Sequence, residues 1–408
     1  MKVKIQKPKS GSVYLALCLI FSFLVFASQL YAEPLNQESM VNSSRQGKYA
    51  EVIDIRHWSN PAYTRVVIHL TGEVQYESRL LKEDPSIQKP KRFLIDLKNS
   101  VLSPNLKEVA INDGLLKMAR AGQNTKDTVR VVLDIESIED YKIFQMEDPF
   151  RIVIDVMGKG HAKLETKQHP QKDERPIAQK QSGIKIVLDA GHGGHDPGAV
   201  GKNRLQEKDV ALKIIKALKE NLEGGLHSDV ILTRDDDVFI SLEERTAIAN
   251  TKNADIFVSV HVNASFNREA SGVETYYLDL TNDEVAMRVA ARENAVSTKK
   301  MSDLQYILND LMKTAKSNES SKLALNIHGA LVSTLKYKYS DVKSNGVKGA
   351  PFYVLVGTHM PSILLEVSYI SNLREEARLR DDAYIKEIVR GITAGIKDYL
   401  KEMGTGGL

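Results

Sequence analysis

Four residues in the C-terminal half of this chain have the side chains of a hydrolytic metal centre. His192 lies in a glycine-rich loop, Glu207 begins a helical pattern, and His261 and Glu366 each come after an apolar run. Two imidazoles and one carboxylate hold zinc with one coordination position open, and the bound metal lowers the pKa of water to about 7. A second carboxylate, not bound to the metal, then takes the proton of that water and passes it to the leaving group. These residue types predict metal-assisted hydrolysis.

The elements that must position these residues are three apolar runs typical of buried parallel strands. Residues 184–190 precede the glycine-rich loop, residues 255–260 precede the second histidine, and residues 361–365 precede the last glutamate. Apolar residues at helical spacing after Glu207 predict a helix that begins at this residue. Because functional side chains gather at the carboxyl ends of parallel strands, we expect one edge of an α/β sheet to bring all four together.

Each of these residues also has a purely structural interpretation. A single histidine after a strand is usually a structural residue, and Glu366 within an apolar strand is able to pair with an arginine. Gly201-Lys202 resembles the end of a phosphate-binding P-loop, but Asp196 and Asn203 stand where that motif requires glycine and serine or threonine. We therefore predict no nucleotide ligand.

Residues 184 to about 400 resemble the catalytic domain of the type 3 N-acetylmuramoyl-L-alanine amidases. The segments that carry the resemblance are Asp189-Ala-Gly-His192-Gly-Gly-His-Asp-Pro-Gly-Ala, Glu207, Ser259-Val-His261-Val-Asn-Ala and Leu365-Glu366-Val-Ser-Tyr-Ile-Ser-Asn372. The resemblance implies a twisted, mainly parallel sheet flanked by helices, in an amidase domain over residues 184–402. It makes His192, Glu207 and His261 the ligands of Zn²⁺. It makes Glu366 the general base and acid.

The reaction that the resemblance implies is hydrolysis of the amide bond between N-acetylmuramic acid and L-alanine in peptidoglycan, for cell-wall remodelling and daughter-cell separation. A zinc peptidase that cuts within the stem peptide remains an alternative, since a metal site alone does not select the amide. A non-catalytic wall-binding protein is a second alternative, against which the complete residue set argues. We expect His195 on the loop surface, Asn263 to orient the site, and the arginines of Thr233-Arg234 and residues 242–250 to form structural ion pairs.

Residues 281–345 interrupt the amidase segment between expected strands at residues 272–280 and 351–356. Thr281 with Glu284 has the spacing of a capping box, and apolar residues continue at helical spacing, so the insertion is predicted to be helical.

Similar insertions in division amidases of this family carry a helix that plugs the active site and is withdrawn by an activator protein. The resemblance implies that Glu293 occupies the fourth zinc position in the resting enzyme. The alternative is an exposed helix in which Glu293 pairs with a neighbouring lysine or arginine.

Residues 48–157 alternate apolar and polar residues as β-strands do, and their pattern is repeated. Arg65-Val-Val-Ile-His-Leu and Arg92-Phe-Leu-Ile-Asp-Leu have counterparts in Arg130-Val-Val-Leu-Asp-Ile and Arg151-Ile-Val-Ile-Asp-Val. The repeat predicts a small pseudo-symmetric all-β sandwich. Together with Ile55-Arg-His-Trp58-Ser, it resembles the AMIN domain, which implies targeting to peptidoglycan or the division site. The repeated arginines are interpreted either as solvated strand edges or as ligand contacts, and the tryptophan either as a core anchor or as a sugar platform.

The remaining segments predict an exported protein. Residues 1–32 contain four lysines and then an apolar run at 13–27, a pattern typical of a cleaved signal peptide for the general secretion route to the periplasm. The run is shorter than the roughly 20 residues of a membrane span. Residues 158–183 contain almost no large apolar residues and are predicted to be a linker, so their histidines are poor ligand candidates. A net charge of +3, from 56 Lys+Arg and 53 Asp+Glu, predicts no nucleic-acid partner.

Overall fold

The computed structural model describes residues 49–404 apart from residues 61, 84–89, 148, 159–182, 227 and 299–315. The predicted signal peptide and nearly all of the predicted linker lie outside the described residues. The β-rich part and the α/β part belong to one compact unit. Within the described ranges, no helix has the length and apolar character needed to cross a membrane.

Ten strands form two five-stranded sheets in the N-terminal part, which confirms the predicted all-β region. Their bounds are β1 Ala50–Asn60, β2 Tyr63–Leu70, β3 Tyr76–Leu81, β4 Arg92–Lys98, β5 Ser100–Leu102, β6 Val109–Ala110, β7 Leu116–Thr125, β8 Thr128–Ile135, β9 Asp140–Met146 and β10 Arg151–Met157. The strand orders are β5-β1-β2-β10-β9 and β3-β4-β8-β7-β6.

The register of these strands reproduces the internal repeat of the sequence. Asp155 of β10 lies opposite Arg65 of β2 in the first sheet, and Asp96 of β4 lies opposite Arg130 of β8 in the second. Both pairs are ion pairs, with Nε to Oδ1 distances of 2.7 and 2.6 Å. Arg65 is 1% exposed on a strand in the middle of its sheet, so the expectation of a solvated strand edge is wrong for this residue. Its charge is satisfied by the carboxylate on the neighbouring strand.

A six-stranded sheet flanked by helices forms the C-terminal part, as expected for the α/β class. Its strands are β11 Ile184–Ala190, β12 Ser228–Leu232, β13 Ile256–Asn263, β14 Val273–Leu278, β15 Ser344–Ala350 and β16 Ser362–Tyr369. Its helices are α1 Glu207–Gly225, α2 Leu242–Thr251, α3 Glu284–Glu293, α4 Lys316–Lys338, α5 Leu373–Leu379 and α6 Asp382–Glu402. The order is β12-β11-β13-β16-β14-β15, and only the β14–β16 pair is antiparallel.

Alternate side chains of the central strands enter separate cores on the two faces of this sheet. On one face, Ile186 and Leu188 of β11 pack with apolar residues of α1, α4 and α6. On the other face, Val187 packs with residues of α2 and α3. A strand buried on both faces favours a largely apolar run, which is the pattern seen at residues 184–190 apart from Lys185 and Asp189.

The described part of the predicted insertion at residues 281–345 contains helices α3 and α4, but it is not a separable unit. Leu331 of α4 is fully buried in the core beside α6, so this helix belongs to the main fold. The expected strand at residues 351–356 is wrong, because the strand is β15, Ser344–Ala350, and residues Tyr353–Leu355 form a 3₁₀-helix. Pro351 has no N–H group for a sheet ladder, which favours the end of the strand before it.

The start of α3 also differs from the predicted capping box. Asp283 is the N-cap, and its side chain accepts hydrogen bonds from the N–H groups of Val285 and Ala286. The hydroxyl of Thr281 instead accepts from the N–H of Asp283. Aspartate and threonine are both good cap residues, and the local sequence does not decide between them.

The first β-sheet packs against the α/β part through an apolar cluster. Val67, Phe144 and Val153 of the sheet meet Tyr353 and Val356 of the α/β part, and all five are buried. Trp58 packs against the same cluster while remaining partly exposed, so it has a packing role. The two parts therefore share an interface in addition to their covalent connection.

Candidate metal centre

The loop after β11 holds His192 in a conformation that its glycines make possible. His192 has a φ of 60°, in the left-handed region, and Gly198 has a φ of 64°. A Cβ atom on Gly191 would lie 2.3 Å from Cε1 of His261, and one on Gly198 would lie 2.5 Å from Cδ2 of His192. Side chains at these two positions would therefore collide with the imidazoles.

Four side chains bring one possible ligand atom each into a space only 4.8 Å across: His192, Glu207, His261 and Glu293. Nε2 of His192 lies 3.3 Å from Oε2 of Glu207, and Nδ1 of His261 lies 3.1 Å from Oε1 of Glu207. Ligand atoms about 2.0–2.1 Å from a tetrahedral zinc ion are about 3.3 Å apart, so the observed spacing fits zinc. As expected from the sequence, Glu207 begins a helix and His261 lies near the end of a buried strand.

Electrostatics at this cluster favour a cation. Burial lowers the pKa of His261, but the charge of Glu293 and the hydrogen bonds with Glu207 and Glu293 outweigh it and raise that pKa to about 9. Burial raises the pKa of Glu207, but the charge of His192 outweighs this effect and brings the pKa to about 2. The carboxylates stay charged, and the imidazoles beside them attract protons. A metal ion is able to replace those protons at this centre.

The orientation of His192 is fixed by residues outside the cluster. Its Nδ1 lies 2.8 Å from Oδ2 of Asp196, so Nε2 faces the other ligand atoms. The carbonyl of His192 accepts a hydrogen bond of 2.8 Å from Arg245 of α2. Ligand histidines are commonly held by a carboxylate in this way. Asp196 was not predicted to have this role, although a carboxylate four residues after a candidate ligand in a tight loop is a usable signal.

Glu207 is held by backbone groups as well as by the histidines. Its Oε1 accepts from the N–H of Val262 at 2.8 Å, and its Oε2 accepts from the N–H of Ala199 at 2.9 Å. These bonds fix the carboxylate at the start of α1, where the helix dipole favours negative charge.

Glu366 lies beside the cluster but is not one of its four members. It is fully buried on β16, opposite His261 of β13, and its Oε2 has no hydrogen-bond partner among the described residues. Burial and the carboxylates of Glu293 and Glu207 raise its pKa well above the ordinary value. A carboxyl group with a raised pKa is suited to accept a proton near neutral pH.

Glu293 reaches the cluster from the last residue of α3. Its Oε2 lies 3.1 Å from Nε2 of His192 and 3.0 Å from Nδ1 of His261. Burial raises its pKa, but the charges of Arg292 and His261 outweigh this and hold the pKa well below the ordinary value. The side chain is buried, so the alternative of an exposed helix face does not describe it, although Arg292 does pair with Glu293 at 2.7 Å.

The remaining predicted residues lie around this centre. His195 is exposed and stacks on Phe239, as expected for loop surface. Arg245 forms the expected structural ion pair, with Asp189 at 2.7 Å. Arg234 differs, because it donates to backbone carbonyls, including those of Ala190 and Gly191.

Comparisons with known proteins agree with the two-part organisation. Residues 186–398 match the family model described as N-acetylmuramoyl-L-alanine amidase, and residues 54–146 match that of the AMIN domain. The chain is 29% identical over 390 residues to the N-acetylmuramoyl-L-alanine amidase AmiC of Escherichia coli O6:H1, a match that covers 87% of this chain and 91% of that protein. It is 32% identical over 250 residues to AmiA of Escherichia coli K12, covering 60% of this chain and 86% of that protein.

Among solved structures, the chain is similar to the N-acetylmuramoyl-L-alanine amidase of Clostridium difficile 630. The identity is 29%, the match covers 54% of this chain and 98% of that chain, and the TM-score is 0.42.

Proposed function

This chain belongs to the N-acetylmuramoyl-L-alanine amidase family, and from this premise we propose that His192, Glu207 and His261 hold a catalytic Zn²⁺ ion beside Glu366. The reaction is hydrolysis of the amide bond between N-acetylmuramic acid and L-alanine in peptidoglycan. The observation that carries the metal assignment is the convergence of three ligand side chains within 4.8 Å, next to a buried carboxyl group outside their set.

Zinc bound there supplies a Lewis acid for the scissile carbonyl and a water molecule of lowered pKa. Glu366 accepts a proton from the attacking water at Oε2, the oxygen without a partner among the described residues. The same carboxyl group then delivers the proton to the departing amine. Asp196 and Arg245 keep His192 in place during these steps, through the Nδ1 contact of 2.8 Å and the carbonyl contact of 2.8 Å.

Glu293 acts as a brake in the resting enzyme. Its Oε2 contacts both imidazoles, at 3.1 and 3.0 Å, and so fills the position that the attacking water needs. The apolar face of α3 holds the carboxylate there, because Val289 and Ala290 are buried in the core on that side of the sheet. An activator protein that binds the withdrawn helix more tightly than the docked one would release the enzyme.

The AMIN-like part directs the enzyme to peptidoglycan or the division site, where it serves cell-wall remodelling and daughter-cell separation. The matching AMIN model and the AmiC relative support this assignment and a periplasmic location after cleavage of the signal peptide. A tagged form of residues 48–157 should sediment with purified sacculi and collect at the division site. Uniform distribution in the envelope without sedimentation would contradict this role.

Mass spectrometry of digested peptidoglycan tests the reaction. Purified sacculi treated with the zinc-loaded Glu293→Ala enzyme, which lacks the brake, should release intact stem peptides and leave uncut glycan strands. Release of shortened peptides, with the muramoyl-alanine bond intact, would instead identify a peptidase that cuts within the stem.

A further inference from the structure

Asn263 lies two residues after His261, and its amide group has only one possible orientation. Its side chain is buried, and Nδ2 donates a hydrogen bond of 2.9 Å to Oε2 of Glu274. The hydroxyls of Tyr276 and Tyr369 also donate to Glu274, at 2.6 and 3.1 Å. A carboxylate accepts hydrogen bonds, and a guanidinium only donates them. The amide nitrogen therefore faces Glu274, and Oδ1 faces Arg292 on the opposite side.

The donor to this oxygen is Arg292, the residue before Glu293. Nη1 and Nη2 of Arg292 each lie 3.2 Å from Oδ1 of Asn263, and Nη1 also donates to the carbonyl of Ala264. Nη2 lies 3.4 Å from Oε1 of Glu366. The guanidinium therefore donates its N–H groups to two neutral oxygen acceptors and approaches the carboxyl group that moves the proton. Since Arg292 is adjacent to Glu293 on α3, withdrawal of the helix removes both side chains.

Withdrawal leaves Oδ1 of Asn263 and the carbonyl of Ala264 as acceptors without these donors, next to Glu366. A buried acceptor that loses its partner is destabilised until another donor arrives. The substrate carries such donors, because the scissile amide and the following peptide bonds of the stem each have one N–H group.

We infer that Oδ1 of Asn263 accepts the N–H of the amide bond that is cleaved, and that Arg292 takes the place of this donor in the resting enzyme. The inference rests on the proposed function. The carbonyl of Ala264 accepts a second N–H of the leaving peptide. Asn263 is thus a residue that contacts the reacting nitrogen, and Glu274 is the residue that positions it.

The hydrogen bond to Asn263 has a defined task in the reaction. Water adds its oxygen to the carbonyl carbon and gives one proton to Glu366. The amide nitrogen, whose own hydrogen is held by Asn263, presents its developing lone pair to Glu366 and receives that proton. The C–N bond then breaks with its electron pair going to nitrogen, and the amine departs with its original hydrogen and the one from Glu366. Correct orientation of the nitrogen at this step lowers the barrier.

Replacement of the scissile amide by an ester tests the inference, because the ester has no N–H at this position. The parent is the zinc-loaded full-length enzyme with both Arg292→Ala and Glu293→Ala, which frees Oδ1 of Asn263. It is assayed on a soluble muramoyl peptide and on its analogue with L-lactate in place of L-alanine. Asn263→Leu should lower kcat/KM for the amide by about 10- to 100-fold and leave the ester rate within about threefold. An equal fall for both substrates would overturn the inference, since a merely structural role affects both.

Exchange of the donor and the acceptor between Asn263 and Glu274 provides a rescue experiment. Asn263→Asp places a carboxylate against Glu274 and should lose amide hydrolysis, whereas Asn263→Asp with Glu274→Gln restores a donor facing the aspartate and should recover it. Failure of the double variant to recover, while folded and zinc-loaded, would also contradict the inference. Asn345→Leu, on β15, is the matched control and should leave both rates unchanged.

A binding measurement separates the inference from the proposed function. With Glu366→Gln added to stop turnover, the parent should bind the amide more tightly than the ester, and Asn263→Leu should remove that preference. A parent enzyme that hydrolyses neither substrate would overturn the proposed function itself. A parent that hydrolyses both, with no amide preference that depends on Asn263, would overturn only the inference.

Discussion

Arg151 of the β-sandwich and Glu243 of the amidase part form an ion pair of 2.7 Å whose side chains are 5% and 0% exposed. Arg65 reinforces the contact by donating from Nη1 to the carbonyl of Glu243 at 3.3 Å. Glu243 lies on α2, two residues before Arg245, which holds the carbonyl of His192. One helix therefore contacts both the β-sandwich and the loop of the metal centre.

Arg151→Met should destabilise the protein, because it leaves the carboxylate of Glu243 buried without its partner. Breaking a buried pair from one side costs about 3–5 kcal/mol, whereas an exposed pair contributes about 1 kcal/mol or less. Denaturant unfolding measures the difference. Lys213→Met, which breaks the exposed pair with Asp382, is the control and should change the free energy of unfolding little. Equal effects of the two variants would mean that the interface pair is not buried in solution.

Removal of the β-sandwich should lower the stability of the amidase part. The metal-centre residues all remain in a fragment that begins at residue 183. However, the cut exposes the apolar side chains of Tyr353 and Val356 and leaves Glu243 unpaired. The fragment should unfold at a lower denaturant concentration than the full chain. An unchanged midpoint would show that the interface contributes nothing.

The roles at the metal centre predict different losses in different variants. Chelation should abolish hydrolysis and added zinc should restore it. His192→Ala should lose the metal, whereas Glu366→Gln should keep it and lose about 10²- to 10⁴-fold in turnover, because the base is not a ligand. His195→Ala, on the loop surface, is the control for both measurements. A similar loss of zinc in the Glu366 and His192 variants would show that the role given to Glu366 is wrong.

Glu293→Ala should raise basal hydrolysis of purified peptidoglycan about tenfold or more without any partner, since each 1.4 kcal/mol that favours the blocked state is a factor of ten. Glu284→Ala changes a carboxylate on the same helix that is 89% exposed, and it should leave basal activity unchanged. Unchanged or lower activity in a folded, zinc-loaded Glu293 variant would show that Glu293 does not inhibit the resting enzyme. Deletion of all of residues 281–345 is unsuitable, because it also removes α4 from the core.

Asp189 should make stability depend on pH in the acid range. Burial raises its pKa, but the charge of Arg245 and the hydrogen bonds from Ser259 and Thr233 outweigh this, so the pKa lies below its ordinary value of 3.8. The unfolded chain therefore binds the proton more readily, and stability present above about pH 4 is lost as the pH falls below it.

Urea midpoints of the metal-free protein between pH 6 and 3 measure this effect. Asp189→Asn should start less stable, by about 3 kcal/mol, and should lose less over that interval. Asp398→Asn, which alters an exposed carboxylate, should keep the wild-type profile. Parallel curves for the Asp189 variant and the wild type would exclude this origin of the acid sensitivity.

The pattern of residues along the chain was enough to predict most elements of the α/β part and the candidates for the centre. Apolar runs bounded by glycine or by polar residues identified β11, β13 and β16, because a strand buried on both faces is largely apolar. Parallel strands align their carboxyl ends, so the strand-end histidines and Glu366 had to meet at one edge. The repeated Arg and Asp positions likewise match the register in which Asp155 faces Arg65 and Asp96 faces Arg130.

The identity of the distant segments that touch the centre follows from how the chain packs in three dimensions. The contact of Glu293 with both imidazoles depends on the docking of α3, and the orientation of Asn263 depends on Glu274 from the antiparallel strand β14. The pair of Arg151 and Glu243 joins residues 92 positions apart. Local periodicity reports which face of an element is apolar. It does not report which other element covers that face, because that choice depends on the packing of the whole chain.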